Sequence, residues 1–150
     1  MKKLLIVLLL SIAGSCWAQA SYIPEQIGRE THHIIQSLGA FVGNERAESQ
    51  AFDITFMPGR EAEGVMVVNT ADYRCTFRLD PQQDICFMIK LDIRSADFLR
   101  EFEMLFETYK TDTEENIRMM NFGDKILKVE EEPSRTSRFK SFTITEASRR

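Results

Sequence analysis

The sequence predicts an α+β fold: an antiparallel sheet with two amphipathic helices packed on one of its faces. Three observations lead there. Residues 73–79 alternate strictly, with Tyr73, Cys75, Phe77 and Leu79 facing one way and Arg74, Thr76 and Arg78 the other, which is the period of a half-buried strand. Residues 95–110, "SADFLREFEMLFETYK", place Phe98, Leu99, Phe102, Leu105, Phe106 and Tyr109 on one helical stripe. The element order is helix, about four strands, helix, about three strands. Runs of adjacent strands favour an antiparallel sheet, and the lack of strict β-α alternation argues against a Rossmann-like arrangement.

The chain opens with "MKKLLIVLLLSIAGSCWAQA". Lys2 and Lys3 form a basic start, Leu4 to Ala13 a short apolar run, and Ala18-Gln19-Ala20 a small-x-small cleavage site. These are the parts of a secretory signal peptide spanning residues 1–20, with a single domain over residues 21–150. The apolar run is too short to span a bilayer as a helix. "AGSC", ending at Cys16, offers a minority alternative, a lipid-anchored chain, although Ala13 stands where such signals usually carry Leu. The expected location is therefore periplasmic or secreted.

The full chain has 150 residues, 19 basic and 23 acidic, for a net charge of −4. Loss of Lys2 and Lys3 with the leader makes the remainder more acidic still. Binding to nucleic acid is disfavoured, because phosphate contact needs a basic surface. No further apolar run is long enough for a transmembrane helix.

In chain order, the first helix is expected over residues 24–39, "PEQIGRETHHIIQSLG". Pro24 suits its first turn and Gly39 its end. Ile27, Thr31, Ile34, Ile35 and Leu38 make the buried stripe, and Gly28 costs the helix about 1 kcal/mol and marks close packing. Phe52, Ile54 and Phe56 alternate as a strand, residues 58–64 form a turn or loop, and Val65 to Val68 sit inside the sheet. Residues 69–72, "NTAD", read equally as a turn or as a bulge in one long strand. Ser95 caps the second helix, with Asp97 in its first turn. Residues 111–115 read as a polar loop. Weaker strands follow at 116–122, 125–130 and 138–145, with a bulge expected near Lys140 because Phe139, Phe142 and Ile144 do not keep one parity. "EEE" at 130–132 reads as part of a solvated loop before Pro133.

Cys75 and Cys86 are the candidate disulfide. An exported chain meets an oxidising compartment, where an even pair of cysteines usually bonds. The apolar pattern opposes this. "DPQQD" (80–84) makes a turn, and a three-residue loop pairs Leu79 with Ile85, Phe77 with Phe87 and Cys75 with Ile89. Cys86 then lies opposite Arg78 on the other face, out of bonding reach. Slipping the register by one reunites the cysteines but buries Met88 and Lys90. A local bulge would satisfy both demands, so the sequence leaves the bond open. In the in-phase register Met88, Cys86 and Arg78 share the second face and form a candidate binding surface.

No catalytic motif is present. The serines lack a nucleophile elbow, and there is no P-loop or dinucleotide fingerprint. Neighbouring residues of a helix point about 100° apart, so His32 and His33 are not expected to share a metal, for which i, i+4 spacing is usual. Asp80 and Asp84 flank a turn without calcium-loop spacing. The sequence thus implies no cofactor, no metal site and no catalytic residue. Seven methionines and eleven phenylalanines suit both an irregular core and an adaptable binding surface. Among them Met66, Met88, Met104, Met119 and Met120 fall in or beside expected elements.

The run "YRCTFRLDPQQDICFMIKLDIRSADFLREFEMLFETY" resembles small exported bacterial proteins without an assigned function, built as signal peptide, helix, cysteine-bearing hairpin, amphipathic helix and closing strands. The resemblance implies the α+β fold and no activity. In topology alone the chain is also similar to small secretion chaperones that bind extended client segments. The leading expectation is an exported, non-enzymatic binding or accessory protein of the cell envelope, engaging an unidentified peptide or protein segment. The alternatives are a carboxylate-dependent envelope hydrolase and a carrier of a small apolar ligand.

Overall fold

The computed structural model describes residues 20–37, 53–58, 64–80, 82–114, 117–133 and 140–147. The leader before Ala20, with Cys16, lies outside them. So do Leu38, Gly39, Phe52, Phe139 and the interior of the 58–64 loop.

Eight antiparallel strands form one sheet in the order β1-β2-β3-β4-β8-β7-β6-β5. They are β1 (Asp53–Pro58), β2 (Gly64–Asn69), β3 (Tyr73–Asp80), β4 (Ile85–Ile93), β5 (Lys110–Glu114), β6 (Ile117–Phe122), β7 (Lys125–Glu132) and β8 (Lys140–Glu146). Two four-strand meanders thus meet side by side where β4 pairs with β8. The helical segments α1 (residues 20–25) and α2 (residues 31–37) precede the first meander, and α3 (Ala96–Tyr109) precedes the second.

All three helical segments contribute to one core cluster on a single sheet face. Ile23, Ile27 and Ile34 join Cys75, Phe77, Ile89, Leu91, Leu127, Val129, Phe142 and Ile144 there. Phe98, Phe102, Leu105 and Phe106 are the buried residues of α3. Phe102 packs on Phe106 and Phe142 with ring centroids 4.8 and 5.1 Å away. Burial of each such side chain contributes on the order of 2 kcal/mol before entropy is charged. Ser95 caps α3, its side chain accepting from the Phe98 N–H.

Four expectations are corrected. The single helix over 24–39 is broken: residues 26–28 turn, Glu30 forms a β-bridge with Ile85, and α2 begins only at residue 31. Gly28 is the cause, with φ of +74°, a left-handed value that ends helices. Its N–H donates to the Cys86 carbonyl at 2.6 Å. The expected loop at 111–115 is largely strand, because α3 passes straight into β5 at Lys110, whose ψ is 138°. β7 runs on to Glu132, so the three glutamates lie in the sheet; cross-strand cations explain it, Lys90 holding Glu132 and Lys140 holding Glu131. No register shift interrupts β8, where Phe142 and Ile144 both face the core. Residues 69–72 resolve as a turn, closed by the Thr70 N–H on the Tyr73 carbonyl at 2.8 Å.

Gly28 and Gly123 both have positive φ, yet their surroundings differ. A Cβ on Gly28 would lie 2.5 Å from the Lys125 ammonium, which donates to the Ile27 carbonyl, whereas nothing stands within 4 Å of a Cβ on Gly123. Gly28→Ala should therefore cost about 3 kcal/mol, combining left-handed strand-entry strain with a lost charged hydrogen bond, and Gly123→Ala about 1 kcal/mol. Urea unfolding of the two variants checks the difference.

Candidate functional site

The β3–β4 hairpin departs from the expected register in two compensating steps. Its turn is one residue longer, so Asp80 pairs with Ile85 rather than Asp84. Asp84 adopts φ of +53°, its N–H bonds the Asp80 carbonyl at 2.7 Å, and the Asp80 carboxylate accepts from the N–H groups of Gln82 and Gln83. A bulge then adds a second residue. Leu79 pairs with Cys86, but Arg78 pairs with Met88, leaving Phe87 unmatched. The shift totals two residues, an even number, so Ile89, Leu91 and Ile93 keep the core face.

The bulge relocates the candidate site residues. Cys86 faces the core and is fully buried, so it does not belong to the second-face surface with Arg78 and Met88. Phe87, expected against Phe77 in the core, is instead 36% exposed. Met88 keeps the outer face, but it lies directly across from Arg78, where the expected register placed Cys86. The Arg78 guanidinium sits 5.8 Å from the Phe87 ring centroid. Exposed Phe87, with half-buried Arg78 and Met88 beside it, thus forms an apolar-cationic patch, of which the sequence indicated two members and misplaced the third.

The disulfide is not formed: Cys75 and Cys86 are both free and buried. Cys86 lies across from Leu79, four residues along β3 from Cys75, or about 13 Å of strand. A disulfide needs Cα atoms within about 7 Å. Desolvation raises both thiols, that of Cys86 to about 12, and the Cys86 thiol lies 3.5 Å from the Met88 carbonyl. Neither is a ready thiolate nucleophile.

Further along the outer face the groups are paired. Lys90 meets Glu132 at 2.7 Å, Thr143 donates to the same carboxylate at 2.7 Å, and Ser141 donates to Asp92 at 2.7 Å. Hydrogen bonds from Lys90 and Thr143 hold the Glu132 carboxyl below its ordinary range. This favours a structural carboxylate over a general acid, which requires a raised value. A hollow of about 270 Å³ lies between the α1–α2 turn and the β6–β7 turn, with Glu25, Arg29, Asp124 and Lys125 beside Phe122 and Leu127. Its charged walls do not suit an apolar ligand.

The histidines differ from their expected separation. Glu30, in its extended bridge, ends the strand-like segment, and its carbonyl accepts from the N–H groups of His33 and Ile34 at 3.0 and 3.2 Å. It is therefore the N-cap of α2, and the side chain of an N-cap folds over the second and third residues that follow. Here those are His32 and His33. The His32 Nδ1 lies 3.1 Å from Glu30 Oε2, and the two imidazole centroids are 4.0 Å apart.

In comparisons with protein families, curated proteins and solved structures, nothing matches this chain. No described helix is long and apolar enough to cross a membrane.

Two outcomes are expected from this geometry. In the native state both thiols should resist alkylation, and in denaturant without reductant both should react, as intact mass will record. Glu132→Gln should cost less than about 1 kcal/mol near neutral pH, since the carboxylate is partly exposed. A depressed carboxyl stabilises the fold above its ordinary value of 4.5 and loses that contribution as pH falls through the lower folded value. The wild-type advantage in urea unfolding should therefore be present at pH 7 and shrink as the pH falls below 4.5.

Proposed function

We propose that this is an exported, non-enzymatic binding or accessory protein of the bacterial cell envelope, which receives an extended peptide or protein segment on the outer face of its sheet. The turning-out of Phe87 beside Arg78 and Met88 carries this reading, on a face that no described helix covers. An exposed aromatic, a guanidinium and an adaptable thioether are the residue types that anchor a partner, and a bulge is a device for re-aiming a side chain. Export rests on the signal-peptide pattern of residues 1–20. The acidic net charge and the absence of a catalytic motif in the sequence favour binding over chemistry. A segment with an apolar side chain to pack on Phe87 and Met88 fits the patch.

Peptides selected by display against the folded protein, then titrated by fluorescence anisotropy, test the reading. Phe87→Ala and Arg78→Ala should each weaken a selected peptide tenfold or more, about 1.4 kcal/mol, with the unfolding midpoint little changed. Equal binding to wild type and both variants would remove the patch from the function. Turnover of envelope substrates that disappears on a single carboxylate substitution would replace the reading with a hydrolase.

A further inference from the structure

We propose that Glu30, His32 and His33 form a surface site for a borderline divalent transition-metal ion, Zn²⁺ or Cu²⁺. One ligand atom from each lies within 4.8 Å of the other two, and all three side chains are exposed. A tetrahedral ion with bonds of about 2.0 Å needs donor atoms about 3.3 Å apart. His32 Nδ1 and Glu30 Oε2 already stand at 3.1 Å. The remaining closure needs only side-chain rotation, which exposure leaves unhindered.

Two imidazoles and one carboxylate match the ligand set that Zn²⁺ takes with an open position, and water completes the shell. The backbone beneath the ligands is held firmly. The Cys86 N–H donates to the Arg29 carbonyl at 2.9 Å, and the Thr31 N–H donates to the Asp84 carbonyl at 3.1 Å. The Thr31 hydroxyl also donates to the Asp84 carboxylate at 2.6 Å. Segment 29–31 is thus stitched to the start of β4, and the ligands need no backbone ordering when the ion arrives. The i, i+4 rule for helical metal pairs does not apply, because Glu30 is extended and the histidines occupy the first turn after it.

Isothermal titration of Zn²⁺ into the untagged protein purified from its native host tests the site. A single ion per chain should bind with micromolar affinity. His32→Ala and His33→Ala should each weaken it at least tenfold, and Glu30→Gln by less. Glu132→Gln, on the far side of the sheet, should leave it unchanged. With Cu²⁺, electron spin-echo modulation should register two imidazoles in wild type and one in each histidine variant. Absence of saturable binding at micromolar Zn²⁺, or binding that survives both histidine substitutions, would overturn the proposal.

Discussion

One unmatched residue, Phe87, organises the centre of this fold. A regular β4 could bury either Cys86 with Met88, Lys90 and Asp92, or Phe87 with Ile89, Leu91 and Ile93. Neither set can be buried whole without loss. The first places an amine and a carboxylate in the core, and the second leaves the β3–β4 turn one residue short of its observed length. The bulge changes parity once, so Cys86 and then Ile89, Leu91 and Ile93 all face inward, while Phe87 and Met88 both face out. Burying Cys86 in place of Phe87 gives up apolar area. The three apolar residues beyond the bulge stay in the core, as they would in a regular strand that buried Phe87.

The same stretch of β4 organises its neighbours. β8 pairs with β4 only from Met88 onward, which leaves the backbone of residues 84–86 open on that side. Residues 28–31 fill the opening with three backbone hydrogen bonds. A continuous helix could not do so, since its N–H and carbonyl groups are used internally. The left-handed turn at Gly28 frees them, and Lys125 from the far meander fastens the turn through the Ile27 carbonyl. The N-terminal segment is therefore part of the sheet's central seam.

The two sheet faces divide the work. The inner face holds phenylalanines, isoleucines and leucines under all three helical segments, and its two thiols are inert through burial. The outer face is a lattice of short polar contacts across β4, β8 and β7, interrupted by the Phe87–Arg78–Met88 patch. A sheet so stabilised on one side can present the other to a partner without reorganising.

Local pattern alone determined much of this protein. The amphipathic stripe of α3, its Ser95 cap, the alternation of β3 and the antiparallel α+β class follow from residues close in sequence, where period and hydrogen-bonding chemistry act directly. Tertiary structure decided the rest. Whether Gly28 bends or merely weakens a helix depends on the unpaired edge of β4 nearly sixty positions away. That Glu130 to Glu132 could join a strand depended on cations from β7 itself, β6, β4 and β8. Cys86 and Phe87 were misplaced for one shared reason. Their directions are set by a bulge, a one-residue change of backbone phase, and such a change is fixed by competition among long-range contacts rather than by any residue's own preference.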